Sequence, residues 1–240
     1  MYKKLLLLMC TFLLAQNNAL NEGIKYYENR ADGASGLIAN DKNILKSIAF
    51  FEALLDSEHD HDAAIYLIKS YYYMAQYVAQ DYSDKVFYFD LALTQSNQYI
   101  YKYPNSVDFI YWNLATMSNW AKTVGLRSVT KMGAGDEFRE KAVDVIVMDP
   151  NYEDGGGYFL LGAVYFTAPY IPLISSWPSN TKSIKYFKKA VETGRATPLQ
   201  QIYYAKSLIN DDSMGEAKKI LKNVSKVSPN PKNLIEDKTY

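Results

Sequence analysis

GGGYFLLGAVYF (155–166), TAPYIPLISSWPSN (167–180) and TKSIKYFKKAV (181–191) form the stretch that decides the fold. In its first part Tyr158, Leu161, Gly162 and Tyr165 recur at helical spacing, so large apolar side chains flank one small residue on a single face. Such a face suits a second helix approaching closely at the small position. Ser183, Phe187 and Ala190 recur in the same way in the last part and supply that partner. The middle part, rich in proline and uncharged, reads as a loop.

This arrangement has the spacing of a tetratricopeptide unit, lengthened between its helices by roughly nine residues relative to the usual ~34. A second stretch keeps the unit without a gap. Ala205, Leu208, Ala217, Leu221, Val224 and Pro229 fall at the eighth, eleventh, twentieth, twenty-fourth, twenty-seventh and thirty-second places of one repeat, and Asp211–Gly215 supplies its turn.

The rest of the chain is helical by the same criterion. Asp41 is placed to cap a helix through Leu55, with Ile44, Ile48, Phe51 and Leu55 on one face. Helices are predicted over Ala63–Gln80, Ser83–Tyr101, Asp108–Thr123 and Leu126–Met132, and from a cap at Asp136 through Met148. No stretch sustains the alternation of a strand. The expected fold is all-α, a tetratricopeptide-like array of antiparallel helix pairs over 41–229. A flexible or partly helical segment (16–40) precedes it and a flexible tail (230–240) follows.

Residues 1–15 read as a signal peptide. Lys3 and Lys4 precede the apolar run Leu5–Leu14, which is short for a membrane span, and Ala15 is the best cleavage point. Export to the periplasm is expected. Cys10 is the chain's one cysteine; Met9 fits poorly before a lipid-attachment cysteine and the apolar run continues past it, so Cys10 is assigned to the leader. Cleavage at Ala15 would leave no cysteine, and stability would rest on packing. The 26 basic residues balance 26 acidic ones, which argues against nucleic acid as a partner.

Repeat register places Lys69, Tyr72 and Tyr73, then Trp112, Asn119 and Trp120, then Phe159 and Phe166, then Ile202 and Lys206 on the concave side. Ile65, Thr116 and Ala163 share those faces. Aromatic rings with two lysines suit a small apolar or carboxylate-bearing ligand, or a segment of a partner. In the loop, Pro169, Tyr170, Ile171, Pro172, Leu173 and Trp177 offer apolar contacts to a partner or another copy of the chain, or fold back as a lid.

Catalytic grammar is sparse. Both histidines sit in the loop Glu58-His59-Asp60-His61-Asp62, where solvated charges are expected in place of a metal site. No Gly-x-Ser-x-Gly elbow occurs, and the glycines at 155–157 precede no Gly-Lys-Ser/Thr. Glu137, Glu140 and Asp144 follow an exposed helical face. Neither enzymatic activity, nor a cofactor, nor a metal is expected.

The order of motifs resembles a known family. Tyr111-Trp112-x-Leu114-Ala115 with Trp120-Ala121, then Asp149-Pro150-x-Tyr152, then Gly156-Gly157-Tyr158-x-Leu160-Leu161-Gly162-x-x-Tyr165 and Ala168-Pro169-x-x-Pro172 are similar to the T component of tripartite ATP-independent periplasmic transporters. Tyr203-Tyr204-Ala205 and Glu216-Ala217 extend the likeness, which spans roughly 41–229. It implies a helical envelope protein that associates with a periplasmic substrate-binding protein and forms oligomers around an apolar channel. A general cell-envelope interaction module without a transport role fits the same residues.

Overall fold

The computed structural model describes residues 16–239. The expected leader, with Cys10 and Ala15, lies outside the described residues. Among those residues the chain is all-helical and no strand forms, apart from isolated bridges at Ser35–Ile38 and Ile171–Ser175. Among the described residues twelve helices pack in adjacent pairs. They group into two compact units divided between Lys102 and Tyr103.

The first unit holds α1 (16–28), α2 (Asp41–Glu52), α3 (Asp60–Tyr73) and α4 (Tyr82–Lys102). Its first helix covers 16–21, which composition alone marks as flexible. Helix α2 is capped by Asn40, one residue earlier than Asp41, and its Ile44, Ile48 and Phe51 are buried. Helix α3 packs between α2 and α4. Asp60, 4% exposed, opens α3 and accepts the Tyr99 hydroxyl at 2.5 Å and the Lys102 ammonium at 2.7 Å, both from the end of α4. The α-helix expected through Gln80 instead widens into a π turn at Met74–Val78. Tyr73 and Tyr77 pack at 5.1 Å across this turn, and the Tyr77 carbonyl accepts from Ala39 N–H at 2.9 Å. A bond from a distant segment thus captures a carbonyl near the end of the helix.

The second unit holds α5 (Val107–Val124), α6 (Leu126–Lys131), α7 (Ala134–Met148), α8 (Gly156–Thr167), α9 (Asn180–Val191), α10 (Pro198–Ile209), α11 (Met214–Val224) and α12 (Leu234–Lys238). Helices α7 to α11 pack neighbour on neighbour, α5 packs on α7, and α8 also touches α5 and α10. First members of successive pairs therefore lie side by side. Helix α7 starts at Ala134 after a left-handed Gly133, two residues before the Asp136 expected to cap it. Helix α10 begins with a capping box, in which Thr197 and Gln200 exchange bonds around Pro198. Residues 231–238, read as tail, form a 3-10 turn and α12, and Ile235 is fully buried.

Two glycines let the helices approach. A Cβ on Gly162 would lie 2.7 Å from Phe187 Cδ1, so only glycine lets α9 sit this close to α8. A Cβ on Gly156 would collide with the Tyr111 ring. Tyr111 in turn meets Tyr152 edge-on at 5.2 Å, and the Tyr152 hydroxyl donates to Asp108 Oδ1 at 2.7 Å. Burial first, then the Asp108 carboxylate, push the Tyr152 pKa upward. The Tyr111, Tyr152 and Gly156 of the motifs therefore form one packing knot between α5 and the start of α8.

Candidate functional site

Helices α5, α8 and α10 bring together part of the expected concave face. Phe159 and Phe166 of α8 meet Tyr203 of α10 edge-on at 5.5 and 6.2 Å, above the fully buried Phe187. Lys122 Nζ lies 5.7 Å and Lys206 Nζ 5.1 Å from the Tyr203 ring centroid. Lys122 also reaches the Tyr203 hydroxyl at 3.5 Å and Asn119 Oδ1 at 3.3 Å. Neither lysine forms an ion pair with a described residue. Tyr203 is thus flanked by two cations, an arrangement able to receive a carboxylate. Sequence register named Ile202 and Lys206 but missed Tyr203 and Lys122. The adjacent Tyr203-Tyr204 pair carries the signal, since only Tyr204 belongs to the buried cluster. Ile202, Trp112 and Trp120 are half-buried, and the Trp120 indole N–H is buried without a hydrogen-bond partner among the described residues.

Lys69, Tyr72 and Tyr73 belong to the first unit. Tyr73 is 1% exposed, and the Arg30 guanidinium lies 5.2 Å from its ring centre, so it is core. Tyr72 is half-buried and meets Phe89 edge-on at 6.2 Å. Lys69 lies 5.6 Å over Tyr66. These three side chains take part in aromatic packing inside their own unit.

A hollow lies where α5, α6, α7 and α8 meet in the second unit. It offers about 480 Å³ of free space, its open mouth included. Its walls are Met117 and Ala121 of α5, Leu126 and Val129 of α6, Phe138 of α7 and Val164 of α8, with Thr130 and Thr167 among them. Both threonine hydroxyls donate to carbonyls of their own helices, Thr130 to Leu126 at 2.8 Å and Thr167 to Ala163 at 2.7 Å. Their hydrogen-bonding is already met within the helix. Ser118 adds one hydroxyl, and the rest of the wall is mainly methyl, thioether and phenyl surface, suited to an apolar guest.

The loop between α8 and α9 divides into an anchored part and an exposed part. Trp177 lies against Gly135, a wall residue of the hollow, and meets Tyr165 edge-on at 5.8 Å. The Arg139 guanidinium covers the Trp177 ring at 4.5 Å. Ile171 is buried, and its N–H reaches Ser175 across a tight turn in which Ser175 Oγ donates to the Pro169 carbonyl at 2.6 Å. Pro169 is half-buried, while Tyr170, Pro172 and Leu173 are exposed.

No group of three or more metal-type ligands occurs among the described residues. The segment 58–62 expected as a loop is instead the start of α3, with His59 at its cap: Asp60 is taken by Tyr99 and Lys102, while His59 lies 3.6 Å from Glu58 and His61 3.5 Å from Asp62. Among the described residues no helix is long and apolar enough to cross a membrane. Comparison with protein families and with curated proteins finds no match.

Proposed function

We propose that this chain is an exported, non-catalytic helical-repeat binding protein that holds a small apolar molecule in the hollow of its second unit. In this reading it is an accessory subunit similar to the T component of tripartite ATP-independent periplasmic transporters, and its partner is a periplasmic substrate-binding protein. The carrying observation is the lining of the hollow, mostly apolar side chains contributed by α5 to α8, with both threonine hydroxyls already bonded. The side-by-side placement of α5, α8 and α10 supports the tetratricopeptide-like part of the reading.

The test is the chain purified from its native envelope, then denatured and searched by mass spectrometry for a released apolar molecule. Ala121→Leu, which narrows the hollow, should lower the amount recovered about tenfold or more. A chain that releases nothing, and whose melting temperature ignores a series of medium-chain fatty acids, overturns the ligand part. Failure to recover a substrate-binding protein after crosslinking in the envelope overturns the transport part.

A carboxylate-bearing ligand is the second reading, favoured by the two lysines beside Tyr203. Lys122→Ala and Lys206→Ala should then weaken organic-acid binding while Ala121→Leu leaves it unchanged.

A further inference from the structure

The tip of the α8–α9 loop is apolar and exposed. Leu173 is 103% exposed, Tyr170 64% and Ile174 43%, with Pro172 exposed between them. Leu173 also adopts φ +66°, a left-handed conformation that a leucine rarely occupies. The buried Ile171 and Ser175, joined across the turn, hold it there. The loop thus keeps a leucine fully in water on a strained backbone.

Along the chain the loop and α9 carry charge of one sign, while the nearest acidic groups are Asp136 and Glu137, next to the Gly135 that Trp177 meets, and Glu192, 3.9 Å from Lys188. Residues 155–191 contain no Asp or Glu, and their only charges are Lys182, Lys185, Lys188 and Lys189. All four are exposed on one face of α9, which starts a few residues beyond the tip. Lys182, Lys185 and Lys189 lie over the rings of Tyr165, Tyr186 and Tyr158 at 5.1, 5.9 and 5.3 Å. Residues 155–240 hold twelve Lys and Arg against six Asp and Glu, a balance of +6 in a chain whose formal charge is zero. Lysines over tyrosines, beside an uncharged apolar projection, match an interface that is anionic outside and hydrocarbon within.

We propose that this loop tip and the lysine face of α9 dock the protein on an anionic lipid bilayer. Leu173, Ile174 and Tyr170 enter the headgroup region, and Lys182 and Lys185 meet lipid phosphates. The site does not depend on the hollow: ligand retention can fail while lipid docking holds, and the reverse.

Vesicle co-sedimentation of the full chain tests it, with phosphatidylcholine vesicles set against phosphatidylcholine mixed with phosphatidylglycerol. Binding should favour the anionic vesicles and fall as salt rises. Leu173→Asp should weaken it about tenfold, and Lys182→Glu with Lys185→Glu by about fivefold or more per lysine. Leu173 is fully exposed, so its substitution leaves folding intact, which circular dichroism and melting check. Equal binding to neutral and anionic vesicles would overturn the proposal, as would Leu173→Asp binding like the parent. If Leu173→Asp instead breaks an oligomer in light scattering without changing vesicle binding, the tip meets a second copy and the proposal fails.

Discussion

The Tyr204 hydroxyl of α10 donates to Glu216 Oε1 of α11 at 3.0 Å, closing the last long helix pair with one charge-assisted bond. Tyr71 of α3 does the same to Glu52 of α2 at 2.6 Å, and Tyr152 to Asp108 at 2.7 Å. In each case burial, then the carboxylate, favours the neutral phenol; for Tyr204 the pKa is pushed up to about 12, and for Tyr71 and Tyr152 it is also raised. Above an unfolded value of about 10 the unfolded chain loses protons that the native chain keeps. Stability from these bonds is therefore fully present below pH ~10 and lost as pH rises through the folded values. Denaturant melts across this alkaline range should show the decline, and Tyr152→Phe should make it shallower. A parent chain with flat stability across that range would refute the assignment.

Gly162→Ala should destabilise the chain by about 1–3 kcal/mol, because the added methyl meets the Phe187 ring and overpacks the α8–α9 contact. The second change Phe187→Leu opens space there and should recover part of the loss. Thermal melts of the two single variants and the double variant measure the coupling. Simple additivity would mean that the two residues do not share the contact.

The Gly162–Phe187 pair was legible in the sequence because it depends only on helical spacing. Burial of Ala205, Leu208 and Ala217 follows from the same spacing; Leu221, in the same register, is 38% exposed. Other features depend on contacts between distant segments. The π turn sits where Ala39 of a distant segment bonds the Tyr77 carbonyl, and the hollow arises where four helices meet around wall residues from Met117 to Ala168. Its small wall residues, such as Ala121 and Ala134, look like ordinary close-packing positions in the sequence. The concave-face residues were named from a single repeat register, and that register cannot say that Tyr73 is core. Nor can spacing show that Lys122 reaches across to Tyr203, since the pair joins α5 to α10.

Asp60→Asn should cost about 1–3 kcal/mol. The amide keeps an acceptor for the Tyr99 hydroxyl but loses the charge that Lys102 meets at 2.7 Å. Lys102 is partly exposed, so water recovers some of that loss and the upper limit for a buried pair is not reached. Chemical denaturation of the parent and Asp60→Asn gives the difference, and the Lys102→Met variant should lose less than Asp60→Asn. The opposite order would place the main cost at Lys102.

Trp177→Ala should lower stability by roughly 2 kcal/mol, below the cost of a fully buried aromatic because Trp177 is half-buried. It removes the ring that Gly135, Tyr165 and the Arg139 guanidinium all contact. Without that anchor the segment 176–179 should open, and limited proteolysis should cut there faster than in the parent. Trp177→Phe keeps an aromatic plane under Arg139 and should restore most of the protection. If Trp177→Ala melts and is cut like the parent, the anchored half of the loop contributes nothing to holding it down, and its shape must come from the Ile171–Ser175 turn alone.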